Sequence, residues 1–171
     1  MHELAIYQLR KNLDVLLSLV KNVSEEQRNW RPSEKTFSLH ETLCHLFELE
    51  LNYFRPQAEL LLAYPDKALP EIETKDWRYI KMYNARDFRV TLRKFVIERE
   101  ASVRWLQSID EQKWEMVFTD SCQRKLSSKL FLMNWLNNDY EEFQKIVKLK
   151  FEYLNNIQYP SVKPLKYAGH L

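Results

Sequence analysis

Glycine is almost missing from this sequence, with Gly169 the single instance in 171 residues. Phosphate-cradling loops and tight hairpin turns depend on glycine, because it alone enters positive φ without a steric penalty. Glycine-rich nucleotide motifs are therefore excluded, and strand-rich or doubly wound folds give way to helices. Cysteine is scarce too: Cys44 and Cys122 form neither a C-x-x-C pair nor a secreted disulfide framework, so a reducing, cytoplasmic setting is expected. No apolar run approaches the ~18 residues that crossing a bilayer requires, and no membrane association is expected. The opening MHELAIYQLRKN reads as a charged helix start rather than a signal peptide. An excess of one charge is also lacking. The 26 Lys and Arg are scattered among 24 Asp and Glu, leaving a net charge of +2 and no basic stripe, so no nucleic-acid partner is expected.

What is present is helical periodicity. The length predicts a single domain over residues 1–171, one that can bury ~70% of its unfolded surface without disulfide or structural metal, so any metal would be functional. Ile6, Leu9, Leu13, Leu16 and Val20 recur at steps of three and four and predict a first helix over residues 3–21. Ser24 with Gln27 marks a short helical turn that ends at Arg31-Pro32. Ser38 with Glu41 repeats the capping-box signature and opens a second long helix to about Leu62, with Leu39, Leu43 and Leu46 inward and a kink at Pro56. Residues 64–84 lack clean periodicity and read as an ordered crossover, with Trp77 and Tyr79 as candidates to close over a pocket. A third helix is predicted from Ala85 to Ser108, a short turn from Asp110 to Glu115, and a fourth helix from the Ser127-Ser128 cap past Leu154. Residues 159–171, with Pro160 and Pro164, form an irregular tail. The expected fold is an all-α four-helix bundle with a long crossover between helices two and three and short extra helices.

The informative residues are polar ones standing where the helical period asks for apolar ones. The third helix reads Leu92, Val96, Arg99, Val103, Leu106, which points Arg99 at the core. The fourth reads Phe131, Trp135, Asn138, Glu142, Ile146, Leu149, which points Asn138 and Glu142 inward as an i, i+4 pair. Unpaired burial of such groups costs several kcal/mol, so partners across the bundle are required, and His45, beside Leu46 and Leu49, is the natural one.

The stretch Trp30-Arg31-Pro32, Phe37-Ser38-Leu39, Leu43-Cys44-His45-Leu46 with Glu48 and Glu50, followed by the Arg99 helix and Trp135 to Ile146, resembles the DinB/YfiT-like superfamily of four-helix metalloenzymes. The resemblance covers nearly the whole chain. It implies a divalent metal, zinc or nickel, held by one histidine on helix two and two at H-x-x-x-H spacing on helix four. His45 matches the first ligand, and Asp139 matches the acidic residue after the second. Asn138 and Glu142 stand where the other two histidines would be, and Lys145 replaces the glutamine that usually follows. An amide is a poor ligand for either metal, so the triad reads as degenerate, with His45, Glu142 and Asn138 as the metal candidates and Glu41 and Glu48 flanking His45 in a position to assist.

In place of a metal, a His45–Glu142–Arg99 hydrogen-bonded network is expected, with Asn138 and Asp139 around it. Glu41 and Glu48 read as a solvated helix face and His40 as exposed. His2 and His170 lie at the termini, and Cys44 faces away from His45. Three function classes follow. The first is a degenerate member that keeps an inter-helical pocket for a small ligand and needs no cofactor. The second is an active metal-dependent hydrolase or low-molecular-weight-thiol transferase using His45 and Glu142. The third is a non-catalytic interaction protein, since the resemblance also implies a homodimer through helix faces.

Overall fold

The first long apolar stripe folds as predicted. In a computed structural model that describes residues 2–64, 69–70, 77–119 and 125–158, helix α1 spans His2–Val20 and buries Ile6, Leu9, Leu13, Leu16 and Val20. Asn22 follows with φ of 59°, a left-handed residue closing the helix where most chains would use glycine; a short polar side chain makes asparagine tolerable there. Ser24 then accepts the Gln27 N–H and caps the short helix α2, Glu25–Asn29. Helix α3, Leu39–Leu49, starts with the full reciprocal capping box of Ser38 and Glu41.

The disruption expected at Pro56 takes the form of a π turn, Glu50–Phe54, in which the Arg55 N–H reaches the Glu50 carbonyl. Proline has no N–H, and its ring presses on the carbonyl four residues back; one wider turn relieves both problems, and the chain continues as α4, Arg55–Ala63. The crossover carries a short helix α5, Trp77–Ile80, and a 3₁₀ turn at Tyr83–Ala85. Helix α6 runs Phe88–Gln107 from an Asp87 cap, and a 3₁₀ turn at Glu111–Glu115 follows. Helix α7, Ser128–Gln158, completes the four long elements: α1, α3 with α4, α6 and α7.

One element was not anticipated. Strands β1, Val117–Thr119, and β2, Lys125–Ser127, pair antiparallel ahead of α7. Three residues per strand are too few to show a period of two, which is why the ribbon leaves no trace in the hydrophobic pattern. The all-α class is unaffected. Cys122, the Pro160 and Pro164 tail, and His170 lie outside the described residues.

The core is divided in two. Leu9, Phe54, Val103, Leu106 and Trp135 belong to one apolar cluster, and Leu13, Leu46, Phe95, Phe143 and Ile146 to the other. Between them each long element contributes a buried polar residue: Asn12 from α1, Glu50 at the end of α3, Arg99 from α6 and Asp139 from α7. Trp135, fully buried, stacks on Phe54 at 5.4 Å and donates its indole N–H to Glu50 at 3.0 Å. A single layer of polar groups therefore crosses the bundle.

Candidate functional site

Arg99 does point at the core, as the α6 stripe predicts, and is 2% exposed. Its partners are not the expected ones. The guanidinium grips Asp139 with two parallel bonds of 2.6 and 2.8 Å, and its Nε donates to Glu50 at 3.0 Å. Asn12 donates a further bond to Asp139 at 2.8 Å, and Gln8 donates to Asn12. Burial opposes the charge on Arg99, but the adjacent carboxylates of Asp139 and Glu50 outweigh it and hold the guanidinium protonated.

The expected His45–Glu142–Arg99 network thus does not form, and the reason lies in the phase of α7. The expected stripe steps three residues from Trp135 to Asn138 and then four to Glu142. The helix takes the four-residue step first, which puts Asp139 in the core and leaves Asn138 half-buried at the seam with α3. Asn12 and Glu50 were missed, although each is a polar residue on an apolar stripe, the same signal that exposed Arg99.

Glu142 is buried but faces a different set of groups. Lys145, one turn along α7, donates to its Oε1 at 2.6 Å, while Oε2 is buried without a partner. Burial raises its pKa, opposed by Lys145. His45 sits across the seam on α3. Its Nδ1 shares a hydrogen bond with the Tyr83 hydroxyl at 3.3 Å, and the rings of Phe37, Trp77 and Tyr83 surround it at 5.4–6.3 Å. The expected closure by the crossover is half met: Trp77 packs on His45, whereas Tyr79 is 71% exposed and Tyr83 takes its place. The crossover showed no periodicity, so nothing singled out Tyr83.

Glu41 and Glu48 are not a solvated face. Both are buried, and they clasp the crossover onto α3. Arg78 reaches Glu41 at 2.8 Å, while Arg86 and Lys81 reach Glu48 at 2.7 and 3.3 Å. Carboxylates that collect two cations each can be withdrawn from water. His40 is likewise buried rather than exposed, edge-on to Phe88 and paired with Asn29. His2 docks, stacked on Trp114 and 3.2 Å from Glu111. Cys44 is buried with its thiol directed to the Tyr83 carbonyl, and burial pushes its pKa up to about 11, so it offers no thiolate at neutral pH.

Burial holds the pKa of His45 down at about 4, helped by Lys145 and opposed by Glu48. The imidazole is neutral at physiological pH. Between that value and the ordinary 6.5 the unfolded chain binds the proton and the fold does not. The stability contributed by neutral His45 is therefore whole above pH 6.5 and is lost as pH falls toward 4. His40, also depressed by burial, acts in the same sense, and Glu142, raised, in the opposite one. Comparing wild type with His45→Phe cancels both. From pH 7.5 to 4.5 the wild type is expected to lose about 2 kcal/mol more unfolding free energy than the variant; parallel pH curves in urea titrations would refute this.

His45 also lines a cleft of about 370 Å³ together with Leu49, Tyr53, Asn134, Asn138 and Glu141, a volume in the range of small-molecule sites. At the three positions that the family pattern assigns to ligands stand a neutral imidazole, His45, an amide, Asn138, and a carboxylate already bound by an ammonium, Glu142. Among the described residues, no group of three or more His, Cys, Asp or Glu side chains is arranged to hold a metal ion.

Comparison with known proteins places this geometry in a family. No curated protein sequence matches significantly. Among solved structures, YfiT from Bacillus subtilis, described as a probable metal-dependent hydrolase with an unusual four-helix bundle topology, superposes with a TM-score of 0.78 at 14% identity, over 89% of this chain and 87% of its own. At that identity the likeness is one of fold. The family model of the DinB superfamily matches residues 8–139, ending just short of Glu142. That stretch is more than half of the chain and carries His45, Arg99 and Asp139, and the protein belongs to the DinB superfamily.

Proposed function

We propose that this chain is a DinB-superfamily member that has given up the three-histidine metal centre and retains the inter-helical pocket beside His45 for a small ligand. The observation that carries the reading is Lys145, whose ammonium lies 2.6 Å from Glu142 and close enough to help depress the His45 pKa. A fixed side-chain cation thus stands on the one carboxylate of the donor set, where a divalent ion would need that carboxylate free. The amide of Asn138 does not compensate, since side-chain amides are weak ligands for zinc and nickel. A neutral imidazole, oriented by the Tyr83 hydroxyl, and the amides along α7 remain to hold a ligand by hydrogen bonds. The competing reading, a metal-dependent hydrolase or thiol transferase using His45 and Glu142, draws support from the unpartnered Glu142 Oε2. Elemental analysis of protein purified without chelator or added metal separates the two. Well under ~0.1 zinc or nickel per chain is expected, because two ligands of this kind do not make the three-ligand set of a catalytic site. Near-stoichiometric metal would overturn the proposal.

A further inference from the structure

The cleft beside His45 has a neighbour on the same helix seam. A second cavity, of about 400 Å³, is lined by Pro32, Phe37, Thr42, Lys145, Lys148 and Leu149. Both cavities lie on the seam between α3 and α7. On α3 the wall runs Thr42, His45, Leu49, and on α7 it runs Asn134, Asn138, Glu141, Lys145, Lys148, all at steps of three or four along one face of each helix. Thr42 shares a cavity with Lys145 and Leu149, and Leu49 shares one with Asn134 and Asn138, so the helices run antiparallel and the cavities follow one another end to end. His45 of the first cavity packs edge-on against Phe37 of the second, with ring centroids 5.4 Å apart.

The chemistry changes along this groove in a definite order. At one end are two ammonium groups, Lys145 and Lys148, beside an apolar wall of Pro32, Phe37 and Leu149. Each ammonium has an acidic neighbour, Glu142 at 2.6 Å and Glu152 at 3.8 Å, and the second contact is long enough to leave Lys148 available. In the middle is the neutral imidazole of His45, which lines the first cavity. At the far end are the amides of Asn134 and Asn138, each both donor and acceptor. Cation, neutral imidazole and amide in sequence complement a carboxylate followed by peptide groups. Seven residues of α7 separate Asn138 from Lys145 and ten separate it from Lys148, or ~10 to ~15 Å at 1.5 Å per residue. An extended chain covers that span in about three to four residues at ~3.3–3.6 Å each.

We infer that the α3–α7 groove binds an extended, peptide-like carboxylate of three to four residues. Its carboxylate lies against Lys148 and Lys145, its terminal side chain against Phe37 and Leu149, a middle peptide group beside His45, and its distal amide against Asn138. This names the ligand class for the pocket proposed above and rests on that reading.

The test is calorimetric titration of the full chain with N-acetyl-Ala-Ala-Phe as free acid and as C-terminal amide, with metal content measured on the same sample. The acid is expected to bind at least tenfold more tightly than the amide. Lys148→Met should erase that preference and Lys148→Arg should keep it, while Asn138→Leu should weaken acid and amide alike. Lys148 is exposed, so its variants keep the fold, and the comparison of acid with amide needs no variant. Equal binding of the two peptides, or binding of neither, overturns the inference. Metal-free protein that ignores both peptides overturns this ligand class alone; stoichiometric metal overturns the proposed loss of the metal centre.

Discussion

Arg99→Met is expected to cost the fold about 4 kcal/mol, because removing one partner from a buried ion cluster strands charges that cannot return to water. Asp139 and Glu50 are both fully buried and both accept from the guanidinium, while Glu50 Oε1 is buried without a partner. Without it, two carboxylates face each other across the centre of the bundle with only Asn12 and Trp135 donating to them. Against a typical domain stability of ~5–15 kcal/mol, such a loss leaves a marginal fold. Arg99→Lys should recover less than half, since an ammonium cannot reproduce two parallel bonds to Asp139 together with a third to Glu50. Replacing all three charges, as Arg99→Met with Asp139→Asn and Glu50→Gln, should be milder than Arg99→Met alone, because it removes the stranded charge. Urea unfolding of the set checks the order. A loss below ~1 kcal/mol for Arg99→Met would mean the layer is solvated, contrary to the burial described.

The second large effect is a gain. Asn138→His with Glu142→His would supply two imidazoles ~6 Å apart along α7, facing His45 across the seam. Lys145→Gln should accompany them, because the ammonium that now neutralises Glu142 would otherwise repel an incoming cation. Zinc affinity is expected to rise by at least ~100-fold over wild type, as the donor set goes from one good ligand to three. Competition against a chromogenic chelator measures this directly. A folded triple variant with unchanged zinc affinity would show that His45 and the α7 positions do not share one coordination sphere, and with it the comparison to the three-histidine members would fail. Asp139 is not free to assist in either protein. It is committed to Arg99, so an acidic residue next to Asn138 serves the bundle rather than the cleft.

The long helices and their caps were legible because their signals are local. Ser38 and Glu41 close their capping box within four residues, and the α1 stripe needs only its own period. Arg99 was legible as buried for the same reason. Its partner was not: choosing between Asn138 and Asp139 depends on a rotation of α7 of about one residue, ~100°, that only packing against α1 and α6 fixes. Glu41 and Glu48 look solvated in isolation. They are buried because the crossover, silent in periodicity, delivers Arg78, Lys81 and Arg86 to them.

By itself, then, the sequence determined the class of fold, the ends of its helices and the family pattern centred on His45, all of which depend on residues a few positions apart. Tertiary structure alone decided which charges meet. It assigned Asp139 and Glu50 to Arg99, brought Arg78 to Glu41, and set Tyr83 and Trp77 on His45. The physical reason is that a buried charge takes its energy from whatever lies within a few ångströms in space, and 40 to 49 residues of chain separate Arg99 from its partners.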